Sequence, residues 1–174
     1  MYNSLDHLLF HKKGQSSRVT VLIVEENAEE RLIYRHHIET DLRLDYRVLE
    51  TGSIDEAIAI WRSQKLDLIL LALTDERGLE ILTAISKSAI SIEIPVILLM
   101  EVGDEELAVS AITMGATDYL MKDEISPNTL RRSIYRTLDR LNLFRQLRRS
   151  QSQETLIAEI ALNVRQSLNL SQIY

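Results

Sequence analysis

Val19-Thr20-Val21-Leu22-Ile23-Val24 runs straight into Glu25-Glu26-Asn27, and this junction of an apolar run with an acidic pair decides how the chain is read. Six β-branched or leucine residues without a charge mark a strand buried on both faces, because a strand with one wet face alternates apolar and polar side chains. Strands of that kind belong to parallel sheets covered by helices, so amphipathic helices should separate the further apolar runs. They do.

Residues 28–40 read as a helix, with Leu32, Ile33 and Ile38 expected to face inward. Tyr46–Thr51 suits a second strand and Gly52 a turn. Ser53 and Glu56 have capping-box spacing, opening a helix that carries Ala57, Ile58, Ile60 and Trp61. Asp67–Leu73 reads as a third strand, and Gly78 opens a helix bearing Leu79, Ile81, Leu82 and Ile85. Pro95 starts the strand Val96–Met100, since proline is tolerated at a strand's first residue. Asp104 is placed to cap a helix through Met114, which Gly115 ends, and Thr117–Met121 completes a fifth strand. Ser126-Pro127 then starts a last helix, with serine as cap and proline in the first turn.

Five βα units in succession predict an α/β fold with a doubly wound (βα)5 parallel sheet. The functional crevice of such folds lies at the carboxyl ends of the strands. That rule selects Glu25 and Glu26, Ala72 to Thr74, Met100 and Glu101, and Lys122.

Composition narrows the function classes. With 45% apolar residues in 174, the chain can build a sizeable core, and with no cysteine it has neither a disulfide framework nor a thiolate metal site. Its four histidines, His7, His11, His36 and His37, lack the company of a zinc site. No apolar run approaches the ~20 residues that span a bilayer. Residues 1–17 read as a mobile extension whose Leu8, Leu9 and Phe10 lack the flanks of a signal peptide, so a cytoplasmic location is expected.

Charge is unevenly spread. From Asn128 to Ser150 seven arginines face one acid, Asp139, so everything else carries an acidic excess twice the net −6. A basic helix can serve nucleic acid, but this one lacks aromatic interleaving and a preceding turn, which favours a solvated, partner-facing helix.

After Pro127 no glycine or proline occurs to the end at Tyr174. Leu130, Ile134, Leu138 and Leu141 support packing on the sheet, Leu143, Phe144 and Leu147 continue beyond, and Arg148–Thr155 is polar. A second amphipathic set follows: Leu156, Ile157, Ile160, Val164 and Leu168. An unbroken helix to Ser167 would be ~60 Å long at ~1.5 Å per residue, so it is expected to project. Leu141, Phe144, Leu147, Leu156, Ile160 and Val164 are then the candidate arm of a parallel homodimer, because an isolated helix needs its apolar face buried.

Four segments carry a specific resemblance: Val21–Asn27, Asp67–Leu71, Ile94–Leu98 and Gly115–Lys122. In order and spacing they resemble the landmarks of response-regulator receiver domains, the CheY-like branch of the flavodoxin-type fold, over residues 18–145. In that family an acidic pair after the first strand binds Mg²⁺, and an aspartate ending the third strand accepts phosphate. A hydroxyl residue ending the fourth strand reports the phosphate, and a lysine after the fifth steadies it. Carried over, the acidic pair is Glu25 and Glu26, the lysine is Lys122, and Tyr119 is the switch-like aromatic. Ala72 stands at the acceptor position and Met100 at the hydroxyl position.

These departures remove the chemistry that the resemblance implies. Phosphoryl transfer to a side chain needs a carboxylate nucleophile, and alanine has no oxygen. A metal ligand goes with it, leaving two longer glutamates to meet Mg²⁺'s strict octahedral demand, so at most weak Mg²⁺ binding at Glu25 and Glu26 is expected. Met100 cannot donate a hydrogen bond to a phosphoryl oxygen. Asp75 lies past the strand and makes a poor substitute, and the loop after Ala72 is about two residues shorter than the family's usual length. Lys122 should pair with Glu25 or Glu26, since a lysine near buried strand ends needs a partner.

The segment Leu156–Leu170 resembles the first helix of a GAF domain, which implies that 146–174 is a linker and the start of a following module. The expected function is a non-catalytic pseudo-receiver without cofactor, working through protein partners in two-component signalling, with an output enzyme left open downstream. The alternative is a regulatory module binding a small molecule in the altered crevice or nucleic acid on the arginine-rich helix.

Overall fold

The structure is a computed structural model that describes residues 18–73, 78–86 and 94–170, the last helix by its backbone alone beyond residue 153. The extension 1–17, the loop with Asp75, and the side chains of Leu156, Ile160 and Val164 lie outside the described residues. The chain divides into two compact units, Met1–Leu138 and Asp139–Tyr174.

The first unit alternates strands and helices: β1 (Val19–Val24), α1 (Ala28–Glu39), β2 (Tyr46–Thr51), α2 (Ile54–Ser63), β3 (Leu68–Leu73), α3 (Leu79–Ser86), β4 (Val96–Met100), α4 (Glu105–Thr113) and β5 (Asp118–Met121), before α5 (Pro127–Leu170) begins. The strands form one sheet in the order β2-β1-β3-β4-β5, every neighbouring pair parallel. The expected fold is the observed one: a CheY-like, flavodoxin-type sheet with a long C-terminal helix.

The pleat sends alternate side chains to opposite faces, and the core accordingly falls into two layers. Leu22, Val24, Ile69, Leu71, Leu98 and Met100 pack with Ala57 of α2, Ile81 and Leu82 of α3 and Ala111 of α4. On the other face Val21, Ile23, Leu70, Ala72, Ile97 and Leu99 pack with Tyr34 and Ile38 of α1 and with Leu130, Ile134 and Leu138 of α5. Burying each of the large aliphatic side chains stabilises the fold by ~1.5–3 kcal/mol.

One helical phase departs from expectation. Leu32 and Ile33 are exposed, at 64% and 49%, while Tyr34 and Ile38 are buried. Tyr34 and Ile38 are four residues apart and share the inward stripe, and Leu32 lies ~200° around the helix from Tyr34. A tyrosine can take that stripe because its hydroxyl reaches a partner, Glu30, at 3.2 Å.

Helix starts follow the sequence with small changes. Asn27 caps α1, its side chain accepting from the Glu29 and Glu30 amides at 2.9 and 3.4 Å. Ser53 caps α2 by accepting from the Glu56 amide at 3.4 Å, but Glu56 does not reach back to close the box. Its carboxylate accepts from the Thr51 hydroxyl instead, and Thr51 takes the Ser53 amide. Asp104 occupies the cap position of α4 without a side-chain hydrogen bond. Gly115 adopts φ +107°, the left-handed conformation that ends α4.

Helix α5 runs unbroken for 44 residues, ~66 Å at ~1.5 Å per residue. Within its second unit Leu141, expected among the exposed arm residues, is buried, whereas Leu143, Phe144 and Leu147 are 55%, 49% and 60% exposed. The Arg140 guanidinium lies 5.8 Å from the centre of the Phe144 ring.

Candidate functional site

Strand alternation brings one set of residues to a single corner of the sheet. Glu25 continues the parity of Val21 and Ile23, Ala72 that of Leu68 and Leu70, Glu101 that of Ile97 and Leu99, and Lys122 that of Leu120. All four therefore belong to the α1–α5 face at the carboxyl ends of β1, β3, β4 and β5. Met100 has the opposite parity and is buried, 1% exposed, in the α2–α4 layer.

Lys122 is the centre of the site. Its side chain is 8% exposed and its Nζ meets three carboxylates: Glu30 at 2.6 Å, Glu25 at 2.9 Å and Glu101 at 3.4 Å. Glu25 is the buried partner, its side chain 1% exposed. Its Oε1 accepts from the Asn27 amide at 2.8 Å, while Oε2 faces Nζ as an ion pair without a well-directed hydrogen bond. Glu30 Oε2 accepts from both Lys122 and the Tyr34 hydroxyl.

The acidic pair that the sequence places side by side is divided by the structure. Adjacent residues at a strand end point to opposite sides, so Glu25 goes in and Glu26 is exposed. Among the described residues Glu26 forms no ion pair with Lys122; the further partners come from α1 and from the end of β4. Sequence reasoning missed Glu30. The one local signal for it is its place one helical turn before Tyr34, a spacing that lets the two side chains touch.

Electrostatics agree with the geometry. Burial works against the Lys122 charge, but the hydrogen bond to Glu30 and the close ion pair with Glu25 outweigh it and hold the ammonium above the ordinary lysine range. The hydrogen bond from Lys122 holds the Glu30 carboxyl below its usual value. Burial, followed by the negative charge of Glu30, raises the Tyr34 phenol.

Arg31 braces the corner from behind. Its Nη1 donates to the Glu25 carbonyl at 2.5 Å. Gly52 passes so close that a Cβ there would sit 3.1 Å from that guanidinium and 3.4 Å from the Glu25 carbonyl. Glycine here thus serves close approach rather than a special φ, and a larger residue would press on the Arg31 guanidinium.

A second buried carboxylate ties the opposite end of the sheet together. Asp41, 5% exposed, accepts from the Tyr46 hydroxyl at 3.1 Å, from the Arg43 amide at 3.1 Å and from the Tyr135 hydroxyl, with Arg131 3.8 Å away. It joins the α1–β2 loop to β2 and α5. Asp118 of β5 accepts from Ser133 at 2.7 Å and from Arg136 at 2.5 Å on α5. Two of the arginines of the basic stretch are therefore engaged inside the first unit, by Asp41 and Asp118.

The remaining named residue, Tyr119, is 49% exposed on β5. Among the described residues no group of three or more His, Cys, Asp or Glu is arranged to hold a metal ion, and no helix is long and apolar enough to cross a membrane.

Comparison with known proteins gives one consistent result. Residues 21–135 match the response regulator receiver domain family. The chain is 32% identical over 114 residues to the phosphate regulon transcriptional regulatory protein PhoB of Pseudomonas aeruginosa, covering 64% of this chain and 48% of that one. It is 30% identical over 115 residues to the cyclic di-GMP phosphodiesterase response regulator RpfG of Xanthomonas campestris pv. campestris, covering 65% of this chain and 30% of that one. The chain thus spans less than half the length of these curated relatives. Among solved structures, NtrX from Brucella abortus superposes with a TM-score of 0.66 at 25% identity, over 75% of this chain and 28% of NtrX.

Proposed function

This chain belongs to the response regulator receiver domain family, and from that premise we propose that it is a pseudo-receiver, a two-component signalling module that acts by protein contact without accepting a phosphoryl group. The observation that carries the reading is Ala72 at the carboxyl end of β3, on the same face as Glu25 and Lys122. A methyl group cannot attack phosphorus, and the carboxylates nearest the lysine are already its ion-pair partners.

The donor set does not suit the family's Mg²⁺. A hexacoordinate hard cation needs several free oxygens, but Glu25 spends one on an amide and the other on Lys122, Glu26 points away, and Ala72 supplies none. Met100 in the opposite layer offers no hydroxyl to report a phosphate.

The experiment is incubation of the chain with acetyl phosphate and Mg²⁺, read by intact mass near neutral pH before any acyl phosphate is lost. The expected spectrum shows no added ~80 Da species. A stoichiometric adduct would overturn the reading and direct the search to Asp75 or a glutamate.

The contact surface proposed for self-association is the exposed stripe Leu143, Phe144 and Leu147. The helix continues through the amphipathic set Leu156, Ile160 and Val164, which supports a parallel homodimer through this arm. Residues 146–174 would then link the receiver to a following GAF-like module of a longer sensor or regulator.

A further inference from the structure

The carboxylate closest to Lys122 belongs to no strand end. Glu30 sits in the first turn of α1, ninety-two positions from Lys122 in sequence, and makes the shortest of the three contacts, 2.6 Å. Its position is built from three sides. The Asn27 cap fixes the Glu30 amide, the buried Tyr34 hydroxyl donates to Oε2 at 3.2 Å, and Lys122 donates to the same oxygen. The strand β3, which carries Ala72, lies between β1 and β4, and Lys122 reaches the end of β1 at Glu25, 2.9 Å away.

We propose that Glu30 takes over the role of the missing strand-end carboxylate: it is a built-in counter-charge that fixes Lys122 and latches α1 to the β5–α5 corner, so that the crevice is held permanently in one state. The ammonium is never free to seek another partner. With three carboxylates already around the one lysine, a phosphoryl group or any other dianion meets those charges there rather than a vacant ammonium. Glu30 is on this account a positioning residue. It acts through Lys122 and fastens together two elements that share no covalent proximity.

That Glu30 stands in for a missing carboxylate rests on the pseudo-receiver reading of Ala72, but the latch is tested separately. Hydrogen exchange of the full chain is compared for wild type, E30Q, E30D and E29Q. Glu30 is a third exposed, so E30Q, which removes the charge, should speed exchange at Tyr119–Ile125 and at Tyr34–Ile38 together by roughly threefold to fivefold. E30D keeps the charge but falls short by one methylene, so it should loosen both segments in the same way, and it serves if E30Q does not fold. E29Q makes the same charge change at an exposed neighbour and should leave both segments within roughly twofold of wild type. Unchanged exchange in both Glu30 variants, loosening of α1 alone, or an equal effect of E29Q would each overturn the latch. A phosphoryl adduct in the mass experiment would instead overturn the pseudo-receiver reading and leave the exchange result to stand on its own.

Discussion

Replacing Lys122 by methionine removes the charge and keeps most of the stem, so the variant isolates what the ammonium does. Glu25 is the residue that suffers: its side chain is 1% exposed, and Oε2 has no partner apart from Nζ. Breaking a buried pair by removing one member costs ~3–5 kcal/mol, because the other charge is left stranded. The lower end applies here, since Oε1 keeps the Asn27 amide at 2.8 Å. Glu30 and Glu101 add little stranding cost of their own, being 33% and 58% exposed and able to hydrate once Nζ is gone. We therefore expect K122M to lose ~3 kcal/mol, a fall of about 6–12 °C in Tm for a chain of this size. The double variant K122M/E25Q strands no charge and should recover ~2 kcal/mol of that loss. Urea unfolding followed by Trp61 fluorescence reads the first unit, because Trp61 on α2 is the only tryptophan. If K122M lies within ~1 kcal/mol of wild type, or the double variant falls as far as the two singles summed, Glu25 is not held by the lysine and this view of the crevice fails.

Four further outcomes are expected. D41A should cost ~3–5 kcal/mol, by stripping partners from Tyr46, Tyr135 and Arg131, and D41N about half that, since its amide oxygen still accepts; losses below ~1 kcal/mol in urea titration would show the Asp41 contacts to be incidental. At alkaline pH the unfolded chain ionises its tyrosines near the ordinary 10.0, while burial first, and Asp41 or Glu30 next, keep Tyr34, Tyr46 and Tyr135 protonated when folded. The native state then binds more protons, Lys122 acts in the same sense above 10.5, and stability is lost as pH rises past about 10; the part of the tyrosinate absorbance at 295 nm that disappears in Y34F, Y46F and Y135F should rise together with loss of near-ultraviolet dichroism, not before it. Calorimetry should find Mg²⁺ affinity no tighter than ~1 mM, and micromolar binding would mean that Glu25 leaves Lys122 to serve the metal. F144E/L147E in the full chain should sediment as a monomer where wild type sediments as a dimer; a monomeric wild type, or a variant dimer, removes the arm from the proposal.

The sheet was legible because its strands are unusually pure. Val19–Val24 and Val96–Met100 contain no charge, and their bounds were readable to the residue. The phase of α1 was not, because Leu32 and Ile33 outrank a tyrosine on any hydrophobic scale, while packing depends on which residues share a stripe with Ile38. Alternation at the end of β1 already separates Glu25 from Glu26, so that division was available to sequence reasoning and needed only the parity of Val21 and Ile23. Glu30 is a different case. Its partner is ninety-two residues away, and no local pattern states which of several first-turn acids will turn toward the sheet. Asp41 is similar, since nothing around it forecasts two tyrosine hydroxyls from separate elements.

The lysine after β5 must be weighed with care as a sign of phosphoryl chemistry. Given a buried glutamate at the end of β1, a cation within reach is required for folding whether or not the crevice reacts, because an uncompensated carboxylate in that position costs several kcal/mol. Lys122 answers that need, and Glu30 and Glu101 gather around the charge it brings. A chain can therefore keep the lysine and an acidic partner on stability grounds alone. No such ground applies to position 72, where alanine packs into the α1–α5 layer at 8% exposure and an aspartate would add a fourth carboxylate to one ammonium. The residue that separates a working receiver from a structural one is the acceptor. Here three carboxylates already share the one ammonium without it.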